Sequence, residues 1–162
     1  MTRAYLSLGS NLEPEKNLRA ALAELRARFG HVEASPAYRF PAVGFDGPDF
    51  LNLAAALDTN LDAQVLNDWL HALEDRHGRR RDVPRFSSRT LDVDIVLFGD
   101  AVLSGAGNLE VPRKELLQSF VLQPLAAIAN DVVHPQLNRT IGDLWRSGAA
   151  LGGTGAPVQL EI

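Results

Sequence analysis

The chain has 162 residues, enough for one domain with a sizeable core, and its 46% hydrophobic and 22% charged content is ordinary for a globular protein. A net charge of −4 and a pI near 5.5 speak against a general nucleic-acid binder, and the absence of cysteine excludes disulfides and thiolate metal sites and fits a reducing cytosol. The opening "MTRAYLSLGSN" lacks the apolar stretch of a secretory signal, and no apolar run approaches the roughly 20 residues that cross a bilayer, so the expectation is a soluble cytoplasmic domain spanning 1–162, with no membrane partner.

"AYLSLGSN" alternates apolar and polar residues and ends in turn formers, which predicts a strand entering a turn. Next comes a helix in "LEPEKNLRAALAELRARFG". Pro14 suits its first turn, Gly30 its stop, and Leu18, Ala21, Leu22, Leu25 and Phe29 make one apolar face. "VEASPAYRF" reads as a strand that Pro36 confines to an edge or a bulge. "PAVGFDGPDF", with two prolines and two glycines, reads as an ordered loop, and "LNLAAALDT" as the next strand. The second helix lies in "LDAQVLNDWLHALEDRHG", with Asp62 as N-cap and Val65, Leu66, Trp69, Leu70 and Leu73 facing inward. An arginine-rich loop then leads into the strand "TLDVDIVLFG".

The order β-α-β-β-α-β is that of the ferredoxin-like split βαβ arrangement, an α+β fold with helices on one face of a sheet. From about Asp100 the chain reads as an elaboration: a short strand pair, a buried "FVLQPLAAIA" segment and a small helix near "IGDLWR". The Gly- and Ala-rich stretch 148–162 reads as a loosely held tail.

In "LDVDIVLF", strict alternation puts Leu91, Val93, Ile95 and Leu97 on one face and Asp92, Asp94, Val96 and Phe98 on the other. Two carboxylates two residues apart on a strand, about 6.5–7 Å at Cα, can share one cation or bridge two. Mg²⁺ is commonly held this way, by one or two carboxylates plus phosphate oxygens and water. The alternative is a solvated polar face neutralised by nearby arginines. The loop "RHGRRRDVPRFSSR" holds Arg76, Arg79, Arg80, Arg81, Arg85 and Arg89, interrupted only by Asp82. Arginine forks beside a carboxylate pair suit a polyanion held together with Mg²⁺. A solvated loop, or one that contacts RNA, is the competing reading. No Walker A or G-x-G-x-x-G pattern is present, so the phosphate cradle is not a P-loop.

"YLSLGSN", "PDFLN" and "RTLDVDIVLFG", in that order, resemble the 6-hydroxymethyl-7,8-dihydropterin pyrophosphokinase family of folate biosynthesis, over roughly residues 4–135. The resemblance implies a ferredoxin-like core, two Mg²⁺ ions, ATP as co-substrate and transfer of pyrophosphate to the pterin hydroxymethyl group with release of AMP. It implies that Asp92 and Asp94 bind metal, and Asp94 is also the candidate acceptor of the substrate proton. Arg79 and Arg89 would contact the triphosphate during transfer, with Arg81 and Arg85 in the same loop. Glu74 and Ile95 would line the nucleotide pocket. On the pterin side it implies Asn52 for the ring edge, Phe50 and Phe120 for its two faces, and the backbone around Phe40, Pro41 and Val43. Taken alone, Phe50 and Phe120 read as core and Asn52 as a turn or cap residue.

The chain departs from the family pattern in "VPRKELLQSFVLQPL". Arg113 stands where a histidine is common, and Gln118 and Ser119 precede Phe120, where an arginine is often found. Arg113 or Lys114 can supply the missing positive charge to a phosphate, though neither titrates near neutrality as histidine does, and Arg113 is taken as the nucleotide-binding candidate. Ser87 and Ser88 also replace a Gly/Pro-type pair. His31, His71, His77 and His134 show no metal-ligand spacing and read as structural or surface residues, with His71 nearest the nucleotide side. The loops at 44–48 and 79–89 are expected to close on ligand. Three functions follow: an active monomeric pyrophosphokinase whose partners are small molecules, a non-catalytic paralogue that binds pterin or nucleotide, and a ferredoxin-like module for RNA or protein.

Overall fold

A computed structural model of the chain describes residues 1–78 and 88–160; Arg79, Arg80, Arg81, Arg85 and Ser87 lie outside the described residues. The elements in chain order are β1 (Thr2–Ser10), α1 (Pro14–Phe29), β2 (Val32–Ala34), β3 (Ala37–Phe40), β4 (Phe50–Thr59), α2 (Ala63–Arg76) and β5 (Asp92–Phe98). They are followed by β6 (Leu103–Ser104), β7 (Glu110–Val111), a 3-10 turn (Lys114–Leu117), α3 (Ser119–Ile128), α4 (Ile141–Arg146) and β8 (Ala156–Val158). The main sheet runs β5-β1-β4-β3-β8, with β2 also beside β4, and its pairings are antiparallel. This is the ferredoxin-like α+β order expected from the sequence.

Local chemistry explains the elements. Pro14 opens α1, and Gly30, at φ 83°, closes it by donating its N–H to the Arg26 carbonyl. The Asp62 carboxylate accepts the Val65 N–H at 2.8 Å and starts α2. Pro36 breaks the second predicted strand into β2 and β3. Between the pairs Ala34–Ala55 and Tyr38–Asn52, this side advances four residues while β4 advances three, a bulge. Ser35 repairs the ladder there. Its N–H donates to the Ala54 carbonyl and its Oγ accepts the Ala54 N–H, both at 2.8 Å.

One sheet face is buried beneath α1 and α2. Ala4, Leu6 and Leu8 of β1, Leu51, Leu53, Ala55 and Leu57 of β4, and Val93 and Ile95 of β5 meet Leu18, Leu22, Leu25, Leu66, Leu70 and Leu73. Val65 does not belong to this set: it is half exposed, because a step of one residue around α2 leaves the stripe set by Leu66, Leu70 and Leu73. The far end of α2 is tied to α1 by Glu24, which accepts from Arg76 at 3.1 Å and lies 2.6 Å from His77 Nε2.

The two core helices thus keep to one face, and the other is covered in part by the C-terminal elaboration. α3 and α4 bury Val121, Leu122, Leu125, Ile141 and Leu144 against Tyr5, Ala54, Ala56, Val96 and Leu97. The alanines of β4 let α3 approach closely. The alternation expected for β5 also fails beyond Ile95. Tyr5 pairs with Leu97 but Leu6 with Ile95, so Val96 is an extra residue. This bulge turns Leu97 toward α3 and Phe98 toward the α1 and α2 layer, the reverse of strict alternation. The 148–160 stretch is also held: Leu151 bonds the residues around α3's start, and β8 pairs with β3. Among the described residues, no helix is long and apolar enough to cross a membrane.

Candidate functional site

α3 covers only part of its sheet face. The uncovered part begins where the side chains of the strands turn polar, and the register sets what lies there. Gly9 pairs with Asp92 on one side and Asn52 on the other, and Asn52 with Tyr38, so these residues form one row across four strands. Ser7 and Asp94 make the next row. With strands about 4.8 Å apart, Asn52 and Asp92 stand about 10 Å from each other across the glycine. A cleft of about 960 Å³ opens above these rows. That is at the upper end for small-molecule sites, roomy enough for two ligands side by side.

Phe40, Pro41, Val43, Phe50, Asn52 and Phe120 all line the cleft, as do Glu74, Arg89, Asp92, Asp94 and Arg113. Ile95 does not: its side chain is buried on the opposite face, in the layer under α1 and α2. Of the four histidines only His71 reaches the cleft wall. His77 is engaged by Glu24, and buried His134 accepts the Gln136 and Leu137 N–H groups at Nδ1, each at 3.1 Å.

Asn52 is almost fully buried, and among the described residues its Oδ1 has no hydrogen-bond partner. A buried acceptor left unpaired costs on the order of 1–3 kcal/mol, a cost that a ligand donor removes. Gly9 makes room for this amide, since a Cβ there would lie 2.6 Å from Asn52 Nδ2. Phe50 is steadied from the loop side by Phe45, edge-on at 6.4 Å.

Asn11, which sequence reasoning passed over, ties the loop at Pro48 to the backbone at Ser88 and Arg89. Its Nδ2 donates to the Pro48 carbonyl at 3.0 Å and to Ser88 Oγ at 3.2 Å, and its Oδ1 accepts the Arg89 N–H at 2.7 Å. The Asn11 N–H in turn donates to the Arg89 carbonyl at 3.0 Å. Arg89 thus enters the cleft from a fixed backbone, nearly buried. The signal was present in the "GSN" that ends the first strand, a turn sequence whose amide has both donor and acceptor.

Glu74 is buried at the end of α2, and its carboxylate accepts the Val93 N–H at 2.8 Å. Val93 stands between the two aspartates, so this bond fixes the strand that carries them. Opposite, the Val96 carbonyl at the bulge accepts the Arg113 N–H at 2.9 Å. The Arg113 guanidinium reaches Asp94 at 3.4 Å and Glu115 at 3.5 Å and donates to the Asn108 carbonyl at 3.3 Å. Among the described residues, no group of three or more His, Cys, Asp or Glu is arranged to hold a metal. The two strand aspartates alone suit a hard cation that draws its other ligands from phosphate and water.

The sequence profile described as 7,8-dihydro-6-hydroxymethylpterin-pyrophosphokinase matches residues 5–130. A 2-amino-4-hydroxy-6-hydroxymethyldihydropteridine pyrophosphokinase of Pseudomonas aeruginosa is 44% identical, over 82% of this chain and 84% of its own. The Synechocystis protein of that description is 37% identical over 97% and 87%, and that of Haemophilus influenzae 36% identical over 83% and 86%.

Proposed function

The chain belongs to the 7,8-dihydro-6-hydroxymethylpterin-pyrophosphokinase family, and from that premise we propose how its cleft carries out the reaction. The reaction is transfer of pyrophosphate from ATP to the hydroxymethyl group of 6-hydroxymethyl-7,8-dihydropterin, releasing AMP, a step of folate biosynthesis. The observation that carries the reading is the register: a buried amide whose acceptor has no partner among the described residues stands across Gly9 from Asp92, with Asp94 in the next row.

Asn52 reads the edge of the pterin, whose ring N–H or amino group supplies the missing donor. Phe50 and Phe120 stack on its faces, and Phe40, Pro41 and Val43 close the wall beside it. Asp92 and Asp94 hold Mg²⁺, two ions by the family's pattern, and the donor set fits that ion for the reason given above. Bound there, Mg²⁺ neutralises phosphate charge and orients the oxygens. Arg89 and Arg113 contact the phosphates. Arg79, Arg81 and Arg85, outside the described residues, join them by their motif positions. Glu74 supports the site by holding Val93, and any contact from Ile95 is made through its backbone. Asp94 is also the candidate acceptor of the substrate hydroxyl's proton. The reading takes 1–162 as a single domain that acts as a monomer in the cytoplasm.

AMP release from ATP and Mg²⁺ tests this reading: AMP is expected only when the hydroxymethyl dihydropterin is present. Asp94→Ala is expected to lower kcat by at least about a hundredfold with the fold retained, because it removes charge stabilisation at the transferring group. Pterin-independent AMP release, or an Asp94→Ala enzyme of normal rate, refutes it. The altered segment "VPRKELLQS", whose Arg113 contacts Asp94, favours a binding-only paralogue; pterin binding with no turnover supports that alternative.

A further inference from the structure

Residues 151–158 lie beyond the stretch matched by the family profile, yet they touch both walls assigned to the pterin. The Leu151 carbonyl accepts the Ser119 N–H at 2.8 Å, and the Leu151 N–H donates to the Leu117 carbonyl at 2.7 Å. Ser119 is the first residue of α3, whose start has no side-chain cap, so the tail supplies a partner for one N–H that a helix start leaves open. Phe120 is the next residue. At the other wall, β8 adds a strand to β3, pairing Ala156 with Arg39 and Val158 with Ala37. Phe40 follows directly in β3.

Gly155 joins these two attachments. It is buried although its neighbours are exposed, and a Cβ on it would lie 2.6 Å from Phe40 Cζ. Gln123 grips it with both ends of its amide: Nε2 donates to the Gly155 carbonyl at 3.1 Å and Oε1 accepts the Gly155 N–H at 2.7 Å. Gln123 sits three residues after Phe120, on the same side of α3. One side chain therefore couples the helix of Phe120 to the glycine lying on Phe40.

We propose that segment 151–158 is a positioning element of the pterin pocket, seated by Gln123, that sets the spacing between the Phe40 wall and Phe120. The inference rests on the pterin assignment made above. It explains the residue types: only glycine leaves room for the Phe40 ring at 155, and a primary amide satisfies one backbone donor and one acceptor together. Pro157, which cannot donate to a ladder, is tolerated because β8 lies at the sheet edge.

The test compares wild type with Gln123→Ala, Gly155→Val and a chain ending at Ala150, measuring KM for pterin and for ATP together with Tm. Each change is expected to raise the pterin KM about tenfold, the effect of losing one or two hydrogen bonds that fix a binding wall, and to leave the ATP KM within about twofold. A lower Tm with both KM values rising together, or no change in either, overturns the proposal, since a purely structural tail gives that pattern. Gln123→Ala removes only a side chain, so it decides the matter if the shortened chain does not fold. If the wild-type enzyme itself fails to release AMP with pterin, the functional reading falls and takes this inference with it. Wild-type turnover with pterin-insensitive variants removes the inference alone.

Discussion

At the scale of the residue, the site depends on what is left out as much as on what is present. Gly9 contributes no side chain, and the Asn52 amide fills the space this leaves, its Nδ2 standing 2.6 Å from where a Cβ would be. Gly9→Ala adds one methyl group and does not require an unusual backbone. The strand survives and the amide turns away. Pterin affinity is expected to fall about tenfold or more, as for loss of a buried hydrogen bond, with nucleotide affinity and Tm nearly unchanged. Fluorescence titration with the dihydropterin checks this; an unaltered Kd would mean that Asn52 does not read the ring. The alternation of "AYLSLGSN" revealed the strand but not this role, because the atom that needs the space comes from β4, 43 positions along the chain.

At the scale of the element, β5 brings opposed charges together and its bulge decides how. The extra residue Val96 presents a carbonyl to the Arg113 backbone, and from there the guanidinium reaches Asp94 at 3.4 Å. A cation bound by Asp94 without nucleotide has to compete with that guanidinium, whereas the phosphates of ATP offer Arg113 another partner. Arg113→Gln is therefore expected to tighten Mn²⁺ binding to the nucleotide-free protein by about two- to fivefold, in line with a partly exposed ion pair, and to weaken ATP binding. Calorimetric titration with each ligand separates the two effects. Equal or weaker Mn²⁺ binding by the variant refutes the competition. The D-x-D spacing was plain in "TLDVDIVLFG", but the bulge was not. Val96 and Leu97 are both apolar and both buried, so the sequence cannot tell a continued alternation from one shifted by a residue.

At the scale of the whole molecule, two groups that do not line the cleft tie stability to pH. Burial lowers the His134 pKa from the usual 6.5, against a smaller rise from its own backbone hydrogen bond. The unfolded chain therefore takes up that proton first, and stability present above about pH 6.5 is lost as the pH falls toward the folded value. For Glu24, desolvation is the largest single influence and raises its pKa. The hydrogen bonds and charges of His77 and Arg76 together outweigh it, so the carboxyl lies below its usual 4.5. Its contribution is present above 4.5 and is lost as the pH falls through the lower folded value. Thermal unfolding across pH is expected to show a first decline just below 6.5 and a second below 4.5. His134→Asn, whose Oδ1 can still accept the Gln136 and Leu137 amides, is expected to remove the first decline only. A first decline that persists in that variant assigns it to another group.

The sequence alone determined the parts that follow from local chemistry. Periodicity set α1, α2 and the strands, Pro36 set the break between β2 and β3, and the ordered motifs pointed to metal, phosphate and pterin residue types. Tertiary structure decided what depends on distant neighbours. It covered part of the second sheet face with α3 and left Asn52, Asp92 and Asp94 lining the cleft beside it. It placed Ile95 in the opposite layer and paired Ala156–Val158 of the Gly-rich tail with β3. The physical reason is that a strand's alternation separates its two faces without saying what will cover either one. That depends on residues brought close only when the chain is folded, such as Gln123 and Gly155, which are 32 positions apart.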